Sequence, residues 1–462
     1  MRQSTLREKT DFLAPLIRNV LYPMWVIKDG NRGLLKYLDY FDFIDKLSRQ
    51  QLEERQRRRL KTILIHAYEG TKYYREVFKK SALSPYQIED SHEITKLPLL
   101  TKDIVRKRFS DLSATNIKKE LITEASTGGS TGVPMRFLRD KDSVYLRKGQ
   151  ELYFDRWMGY KVGDKVALFV AASHFDGAVE RLKGKIKNAT YERILHFDPH
   201  HITENYMALF AREYEKFAPS MIKCFPNSLF VFADFIKRNG IELPGVRSIS
   251  CTGENLYMHQ RKLFGEVFGG EVFEKVGTRE SGVIACECSM HKGMHVFTEG
   301  VFLELLNNQG QTAKPGEPGK VIITDLFNKA MPLIRYEIGD MATVSDGRMC
   351  ECGCPLPLIE NLLGRERDII IDSYGNPKPG YLFTEIILQL NLSAQFQVVQ
   401  PDRGSLVVKV VKRCGDQVPV PRLKGEFEKI VGPLVKVDFD FVEEIPRDPS
   451  GKYGYVVSKV KY

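Results

Sequence analysis

The sequence lacks any apolar run that approaches the ~20 residues needed to span a bilayer. Its first residues also lack the basic, apolar and small-residue order of a secretory signal peptide. We therefore predict a cytoplasmic protein with no transmembrane segment. The stretch 12–27 is apolar but is broken by Arg18 and two prolines, which predicts a buried helix; peripheral contact with a membrane surface is the alternative.

The composition argues against disorder, a disulfide scaffold and nucleic-acid binding. The 462 residues include 43% hydrophobic and 28% charged side chains, which is typical of two or three globular domains. Lys and Arg outnumber Asp and Glu by 69 to 59, but they are scattered, and the densest run, 54–61, is interpreted as a solvated helix face. The net charge of +10 fits anionic substrates. Eight cysteines without a signal peptide indicate metal chemistry wherever they cluster.

The pattern of apolar residues along the sequence predicts an α/β (α+β) fold with two domains. Residues 34–110 have the apolar spacing of helices, and the middle of the chain alternates short β-branched runs with amphipathic helices, which predicts a helix-covered sheet. Beyond residue 364 the pattern changes to a small α+β unit. We predict a large domain over 1–366, whose first 120 or so residues are helical, and a small domain over 367–462.

The stretch 123–137, TEASTGGSTGVPMRF, contains a loop with almost no side-chain bulk. Glycines and small hydroxyls leave backbone and side-chain donors free to hold a polyphosphate, whereas a flexible linker is the simpler alternative. The Lys of a P-loop is missing, so kinase, GTPase and Rossmann sites are disfavoured. The loop resembles the phosphate-binding signature of the adenylate-forming superfamily, which implies phosphate contacts from Ser126, Thr127, Gly128, Gly129, Ser130, Thr131 and Gly132.

Further segments resemble motifs of the same superfamily and occur in its order. CTGENL, at 251–256, is similar to the turn beside the adenine, which implies nucleotide contacts for Gly253 and Glu254. The segment 274–282 keeps two further residues of the superfamily pattern, Gly277 and Glu280.

The segment 274–282 also departs from that pattern at two positions. Val276 replaces an aromatic residue, and Arg279 stands where Thr is expected. These departures lend weight to a non-catalytic scaffold that keeps the fold.

The last motifs complete the implied site. PLIRYEIGD, at 332–340, resembles the strand whose terminal Asp340 holds both ribose hydroxyls, a task suited to the two oxygens of a carboxylate. The hinge-like LLGRERDIII implies Arg365 at the ribose and Arg367 at the pivot. IPRDPSGKYGY implies that Lys452 supplies the catalytic cation, and SYGNP implies Gly375 in the tunnel for the CoA thiol.

The resemblance implies activation of a small-molecule carboxylic acid by ATP, with release of pyrophosphate and transfer to CoA. Glu280 would hold Mg²⁺, Lys452 would bridge the α-phosphate and the carboxylate, and Thr131 is counted with them as catalytic. Within the superfamily the chain most resembles phenylacetate–CoA ligases and coenzyme F390 synthetases, especially their branch encoded with capsular polysaccharide genes. Two alternatives to this function remain open: direct transfer of the acyl group from AMP to a sugar or carrier, and a non-catalytic envelope scaffold. A homodimer also remains open.

Two short segments, 286–295 and 350–354, carry five thiols and two imidazoles. Two short ligand-bearing segments, which we call knuckles, separated by a long insertion suit a four-coordinate structural zinc site. Reduced thiols on loops are the simpler alternative. Cys286, His291 and Cys354 compete for the places that we assign to the zinc ligands Cys288, His295, Cys350 and Cys352.

Overall fold

The computed structural model describes residues 11–127, 135–170, 187–199, 203–365, 368–389, 395–411, 418–446 and 454–460. Its α-helices are α1 (Leu13–Leu16), α2 (Tyr22–Lys28), α3 (Gly33–Ile44), α4 (Arg49–Gly70), α5 (Lys72–Lys80), α6 (Lys102–Lys107), α7 (Phe109–Leu112), α8 (Lys141–Trp157), α9 (Glu204–Phe217), α10 (Pro226–Arg238), α11 (Met258–Phe268), α12 (Tyr381–Gln389) and α13 (Val420–Val431).

The N-terminal region is helical, as the apolar spacing predicts. Helix α4 begins after Ser48, whose hydroxyl accepts a hydrogen bond from the N–H of Gln51, while the Gln51 side chain accepts one from the Ser48 N–H. The apolar residues of α4 recur every three or four positions and join the core beneath the large sheet.

The basic run 54–61 lies within α4, and part of it turns inward. Arg55 and Arg59 lie 2.9 and 3.0 Å from the carboxylate of Glu299, whose side chain is fully buried. The interpretation of the whole run as a solvated face is therefore wrong for these two arginines, because a buried carboxylate needs cationic partners.

The apolar stretch 12–27 forms α1, a π-helical turn (Ile17–Leu21) and most of α2. Ala14, Ile17 and Val26 are buried. The prediction of a buried helix is right for this face and wrong for the other one. Helical residues three or four positions apart share a face, and only one face of these helices packs against the rest of the protein. The exposed side consists of Phe12, Leu13, Leu16, Val20, Met24 and Ile27. No helix among the described residues is long and apolar enough to cross a membrane.

The strands form a large sheet, a small sheet and two hairpins. Strand β1 (Ile122–Ser126) pairs with β2 (Arg136–Asp140), and β14 (Ile369–Ile371) pairs with β15 (Pro377–Pro379). The large sheet has the order β10-β11-β12-β13-β9-β8-β7-β6-β5-β3-β4. Its strands are β3 (Val166–Phe169), β4 (Ile194–His196), β5 (Met221–Cys224), β6 (Ser248–Thr252), β7 (Glu271–Thr278), β8 (Gly282–Glu287), β9 (Met294–Val296), β10 (Val301–Leu306), β11 (Pro318–Asp325), β12 (Tyr336–Val344) and β13 (Leu358–Arg365).

The large sheet combines a parallel half with an antiparallel half. Strands β4, β3, β5, β6 and β7 are parallel, and the remaining pairs from β7 to β10 are antiparallel. Helices cover both faces of the parallel half, which is why its strands are apolar on both sides. Ile222 and Ile249 pack toward α9, α10 and α11, whereas Met221 and Phe273 pack toward α3 and α8. The helix-covered sheet predicted for the middle of the chain is confirmed.

The C-terminal part of the chain has its own sheet and core. The sheet order is β18-β17-β16-β19, built from β16 (Gln395–Asp402), β17 (Ser405–Val411), β18 (Lys436–Phe441) and β19 (Val456–Ser458). Phe383 of α12 and Phe427 of α13 pack against Val398 and Val408 of this sheet. This separate core supports a small C-terminal domain, and the division between residues 366 and 367 stays a prediction.

Candidate active site

A cavity of about 650 Å³ lies at the carboxyl ends of the parallel strands β3, β5, β6 and β7. Open sheets of this kind place ligands outside the carboxyl ends of their strands. The cavity is dense in charge, since its lining includes Lys102, Arg106, Arg139, Arg147, Lys148, Glu151, Lys223, Lys275, Arg279, Glu280 and Arg365.

The described residues that flank the Gly- and hydroxyl-rich loop belong to the β1–β2 hairpin. Ser126 pairs with Arg136 across the hairpin. The Thr127 N–H donates to the Met135 carbonyl at 2.9 Å, and the Met135 N–H donates to the Thr127 hydroxyl at 2.9 Å. Thr127 lines the cavity. The predicted phosphate contacts of 128–132, including Thr131, lie outside the described residues.

The turn after β6 brings only one of its two predicted residues to the cavity. Gly253 lines the cavity and has a φ of +78°, a conformation that suits glycine. Glu254 instead accepts a hydrogen bond of 3.0 Å from the N–H of Asn227 at the start of α10, where the helix dipole favours a carboxylate.

Glu280 lies in the turn between β7 and β8 and is only 4% exposed. The Tyr336 hydroxyl donates to its Oε1 at 2.8 Å. Burial, together with this carboxylate, raises the pKa of Tyr336, so the phenol keeps its proton and remains a donor. Gly277 must be small, because an added Cβ would lie 2.5 Å from the Gly282 carbonyl oxygen of the neighbouring strand.

The two departures from the superfamily pattern have structural roles. Val276 is buried in the core beneath the sheet. The Arg279 guanidinium donates to the Ser126 carbonyl at 3.2 Å, and the Arg279 carbonyl accepts from Arg139. Arg279 therefore ties the base of the loop to the segment that carries Glu280.

Asp340 and Arg365 face each other across β12 and β13. Arg365 Nε lies 2.8 Å from Asp340 Oδ1, and the Asp340 side chain is 7% exposed. Asp340, against the opposing effect of burial, raises the pKa of Arg365. We call Glu280 and Arg365, which line the cavity, together with Asp340, which contacts Arg365, the Asp340 end. The remaining hinge and C-terminal predictions, Arg367 and Lys452, lie outside the described residues.

Gly375 is not among the residues that line the cavity. It has a φ of +86° in a turn where Asp372 accepts hydrogen bonds from the N–H groups of Tyr374 and Asn376. Its predicted role at the CoA tunnel stays a prediction.

The opposite end of the cavity was not anticipated from the sequence. Lys223 Nζ lies 2.5 Å from Asp155 and 3.2 Å from Glu151, and Lys275 Nζ lies 3.1 Å from Asp155. Although burial opposes its charge, the pKa of Lys223 is raised by Asp155 and Glu151. We call Glu151, Asp155, Lys223, Ser250 and Lys275 the lysine end.

The sequence did carry one signal for the lysine end. Lys223 lies in the otherwise apolar strand MIKC, and Lys275 lies in the strand EVFEKVGT between the apolar residues Phe273 and Val276 and next to Glu274. A lysine is almost never buried without a partner, so such positions predict a nearby acid. Their partners lie on α8, far away in sequence, and no local pattern identifies them.

Four cysteine and histidine side chains converge at the edge between β9 and β13. The ligand atoms of Cys288, His295, Cys350 and Cys352 all lie within 4.8 Å of one another. The Cys288 and Cys350 sulfurs are 3.7 Å apart, and the Cys352 sulfur is 3.3 Å from His295 Nε2. His295 Nδ1 contacts the Leu356 carbonyl at 3.2 Å, which leaves Nε2 to face the thiols.

The three competing residues lie outside this cluster. The Cys286 thiol donates to the Glu287 carbonyl and is part of the α8-side core. His291 contacts Glu287 and Glu271 through its two ring nitrogens. Cys354 instead packs against a small cluster of buried apolar side chains. The four residues assigned to zinc are therefore the ones that the fold brings together.

Comparison with known sequences identifies homologues along most of the chain. Residues 379–459 match the family described as the CapK C-terminal domain. The chain is similar to Protein CapK of Staphylococcus aureus, with 24% identity over 91% of this chain and 93% of that protein. It is also similar to the phenylacetate-coenzyme A ligase of Pseudomonas putida, with 21% identity over 82% of this chain and 84% of that protein.

Comparison with solved structures confirms the predicted fold. The crystal structure of 2-hydroxyisobutyryl-CoA ligase in its postadenylation state superimposes with a TM-score of 0.70 at 16% identity, covering 87% of this chain and 89% of that chain. An anthranilate CoA ligase superimposes with a TM-score of 0.53 at 14% identity, covering 78% and 74%. The expected adenylate-forming fold and the resemblance to phenylacetate–CoA ligases are both confirmed.

Proposed function

We propose that this chain, a homologue of CapK and of the phenylacetate-coenzyme A ligases, activates a carboxylic acid with ATP and passes the acyl group to CoA. A carboxylate oxygen attacks the α-phosphorus, and pyrophosphate leaves; the CoA thiol then loses its proton and displaces AMP from the acyl-adenylate. One observation carries the proposal: Thr127, Gly253, Gly277, Glu280 and Arg365, from separate motifs, line a single cavity.

The Asp340 end has the chemistry needed for the nucleotide. A carboxylate accepts hydrogen bonds from two adjacent hydroxyls, which suits Asp340 for the ribose. Arg365 contacts its Oδ1 at 2.8 Å and so fixes the carboxylate in place. Thr127, at the base of the loop, and the loop residues 128–132 would donate to the β- and γ-phosphates.

Glu280 is the residue we assign to Mg²⁺. Its carboxylate is buried at the cavity wall and accepts from Tyr336, which orients it. A hard divalent cation prefers such oxygen ligands, and when bound it would offset the charge on the departing pyrophosphate. Lys452 would neutralise the α-phosphate and the attacking carboxylate, two anions that must meet.

The decisive experiment compares pyrophosphate release by the wild type with that by Lys452→Ala. We expect the variant to lose adenylate formation and to keep ATP binding, because the proposed nucleotide contacts lie on the large domain. The matched control is Lys459→Ala, which removes an exposed lysine from the same C-terminal part of the chain and leaves the rate unchanged. A Lys452→Ala protein that releases pyrophosphate at the wild-type rate would overturn the assignment.

We also propose that Cys288, His295, Cys350 and Cys352 bind a structural zinc ion. A tetrahedral site with Zn–S bonds of about 2.3 Å implies sulfur–sulfur distances of about 3.8 Å, and the observed 3.7 Å between Cys288 and Cys350 fits. Four protein ligands leave no open position, so the ion would join the β8–β9 hairpin to the connection between β12 and β13.

Metal analysis tests the zinc proposal. We expect about one zinc per chain in the wild type and none in Cys350→Ser. Cys354→Ser is the control, because Cys354 lies beside the cluster without belonging to it. Folded wild-type protein that contains no zinc after growth in zinc-replete medium would refute this assignment.

The relatives support a choice of acyl acceptor and of biological setting. The ligases among them are named for coenzyme A, which supports CoA over a sugar or a carrier. We place the reaction in the cytoplasm and, from the resemblance to the capsular branch, in the biosynthesis of a capsular or extracellular polysaccharide. An assay with ATP, acid and CoA distinguishes the acceptors, because a CoA thioester forms in only one case.

A further inference from the structure

The lysine end of the cavity is polar where small-molecule pockets are mostly apolar. On the α8 side of the sheet, Met221 of β5 and Phe273 of β7 belong to the apolar core. Two residues later on the same strands, and hence on the same face, come Lys223 and Lys275, which line the cavity. The strands therefore change from apolar to charged at the point where they reach the cavity.

Helix α8 provides a matching polar stripe. Glu151 and Asp155 are four residues apart and so lie on the same face of the helix. The Asp155 side chain is fully buried and lies within 3.1 Å of both lysine ammonium groups. Because its charge is matched by two cations, this carboxylate holds Lys223 and Lys275 beside the cavity.

The cavity lining includes buried donors without a partner among the described residues, on Ser250, Arg139 and Arg147. Arg147 donates to Asp325 through Nη2, and its side chain lies beside Gly282, next to the Glu280 turn. Ser250 belongs to the lysine end, and its hydroxyl, on a residue that is 1% exposed, makes no hydrogen bond there. Buried polar groups are almost always hydrogen-bonded in folded proteins, so the Ser250 hydroxyl indicates a missing acceptor at the lysine end.

We infer that the acid activated here carries a hydroxyl or carboxylate oxygen at the end remote from its reacting carboxylate. This inference rests on the proposed function, since it treats the lysine end as the part of the cavity left for the acyl group once the nucleotide occupies the Asp340 end. The oxygen accepts hydrogen bonds from Ser250, Lys223 or Lys275. An aryl or alkyl acid leaves the Ser250 hydroxyl buried and unsatisfied.

Acids of equal length that differ only at their far end test the inference. Hexanoate, 6-hydroxyhexanoate and adipate form one such series; butyrate, 4-hydroxybutyrate and succinate form a shorter one. Pyrophosphate release is measured for each with ATP. One unsatisfied buried donor costs an apolar acid at least about fivefold in kcat/KM. The hydroxy acid and the diacid distinguish a neutral acceptor from an anionic one.

A pair of serine variants tests the same site without disturbing the fold. Ser250→Ala removes a hydroxyl that has no partner among the described residues, so folding is preserved while KM for the preferred polar acid rises by up to about tenfold. Ser248→Ala is the matched control. Its hydroxyl is also buried and without a partner in the described chain, on the same strand and face, but Ser248 does not line the cavity.

The possible failures are separable. If an apolar acid releases pyrophosphate as fast as its polar counterpart, the inference is wrong and the proposed function stands. If Ser248→Ala and Ser250→Ala raise KM equally, the assignment of Ser250 to the site is overturned. If no acid releases pyrophosphate, the proposed function fails, and the inference fails with it.

Discussion

Each end of the cavity has a buried carboxylate that contacts residues of the lining, but the two carboxylates are neutralised differently. Among the described residues Asp340 pairs with one guanidinium, that of Arg365, whose side chain is 27% exposed. Asp155 faces two ammonium groups, from Lys223 and Lys275, and is itself fully covered. One acid is thus positioned to accept further donors, whereas the other is used to hold two cations. In our proposal the first acid belongs to the ligand site itself, and the second acid supports the residues that contact the ligand.

The largest effect on stability is expected from a substitution that removes the shared carboxylate of the lysine end. Asp155→Asn removes the charge shared by two lysines and leaves both ammonium groups without their common partner. Breaking a buried ion pair on one side costs about 3–5 kcal/mol, so the free energy of unfolding should fall by that amount. Urea unfolding of the purified protein measures it.

The matched control for Asp155→Asn is Asp340→Asn. Arg365 is partly exposed, so water can replace the lost charge, and we expect a loss of about 1 kcal/mol. If both variants lose the same stability, the proposed difference between the two ends of the cavity is wrong.

The next effect concerns ATP rather than folding. Asp340→Ala removes an acceptor from two ribose hydroxyls, and each charge-assisted hydrogen bond contributes about 1.5–3 kcal/mol. ATP affinity should therefore fall at least about tenfold. Calorimetric titration with ATP, together with thermal melting of the same variant, measures both properties. A folded Asp340→Ala protein that binds ATP normally would assign Asp340 a purely structural role.

The Asp340 end could be predicted from the sequence because its parts are contiguous motifs. The short segment 332–340 contains the first part of β12, with the positive-φ Gly339 and Asp340 adjacent in the middle of the strand, so these residues stay neighbours in any fold that forms the strand. The role of Tyr336 cannot be predicted in this way, since its hydrogen bond to Glu280 joins a strand to a turn that is distant in sequence.

The lysine end could not be predicted in the same way. Its carboxylates come from α8 and its ammonium groups from β5 and β7, and their meeting depends on how the helix packs across the sheet. The cluster of Cys288, His295, Cys350 and Cys352 is an intermediate case. Its two knuckles were visible in the sequence, but the strand pairing of β9 with β13 decides that His295 and not His291 faces the thiols.

The smallest effect is expected for Glu151 and depends on pH. Lys223 lowers the pKa of Glu151 from 4.5 to about 2. A carboxyl group whose pKa is lowered by folding stabilises the protein above its unfolded pKa, and the stabilisation is lost as pH falls from about 4.5 toward 2. Because the Glu151 side chain is half exposed, solvent screening limits the contribution to under about 1 kcal/mol.

Urea unfolding of Glu151→Gln and of the wild type at pH 6, 4 and 3 tests this expectation. The difference in unfolding free energy should be largest at pH 6 and should shrink as pH falls, since the wild type loses the charge that the variant never had. Glu213→Gln, at an exposed position on α9, serves as the control and should show no such trend. A difference that grows toward pH 3 would mean that Lys223 does not stabilise the charged form of Glu151, and that Asp155 alone holds the lysine end.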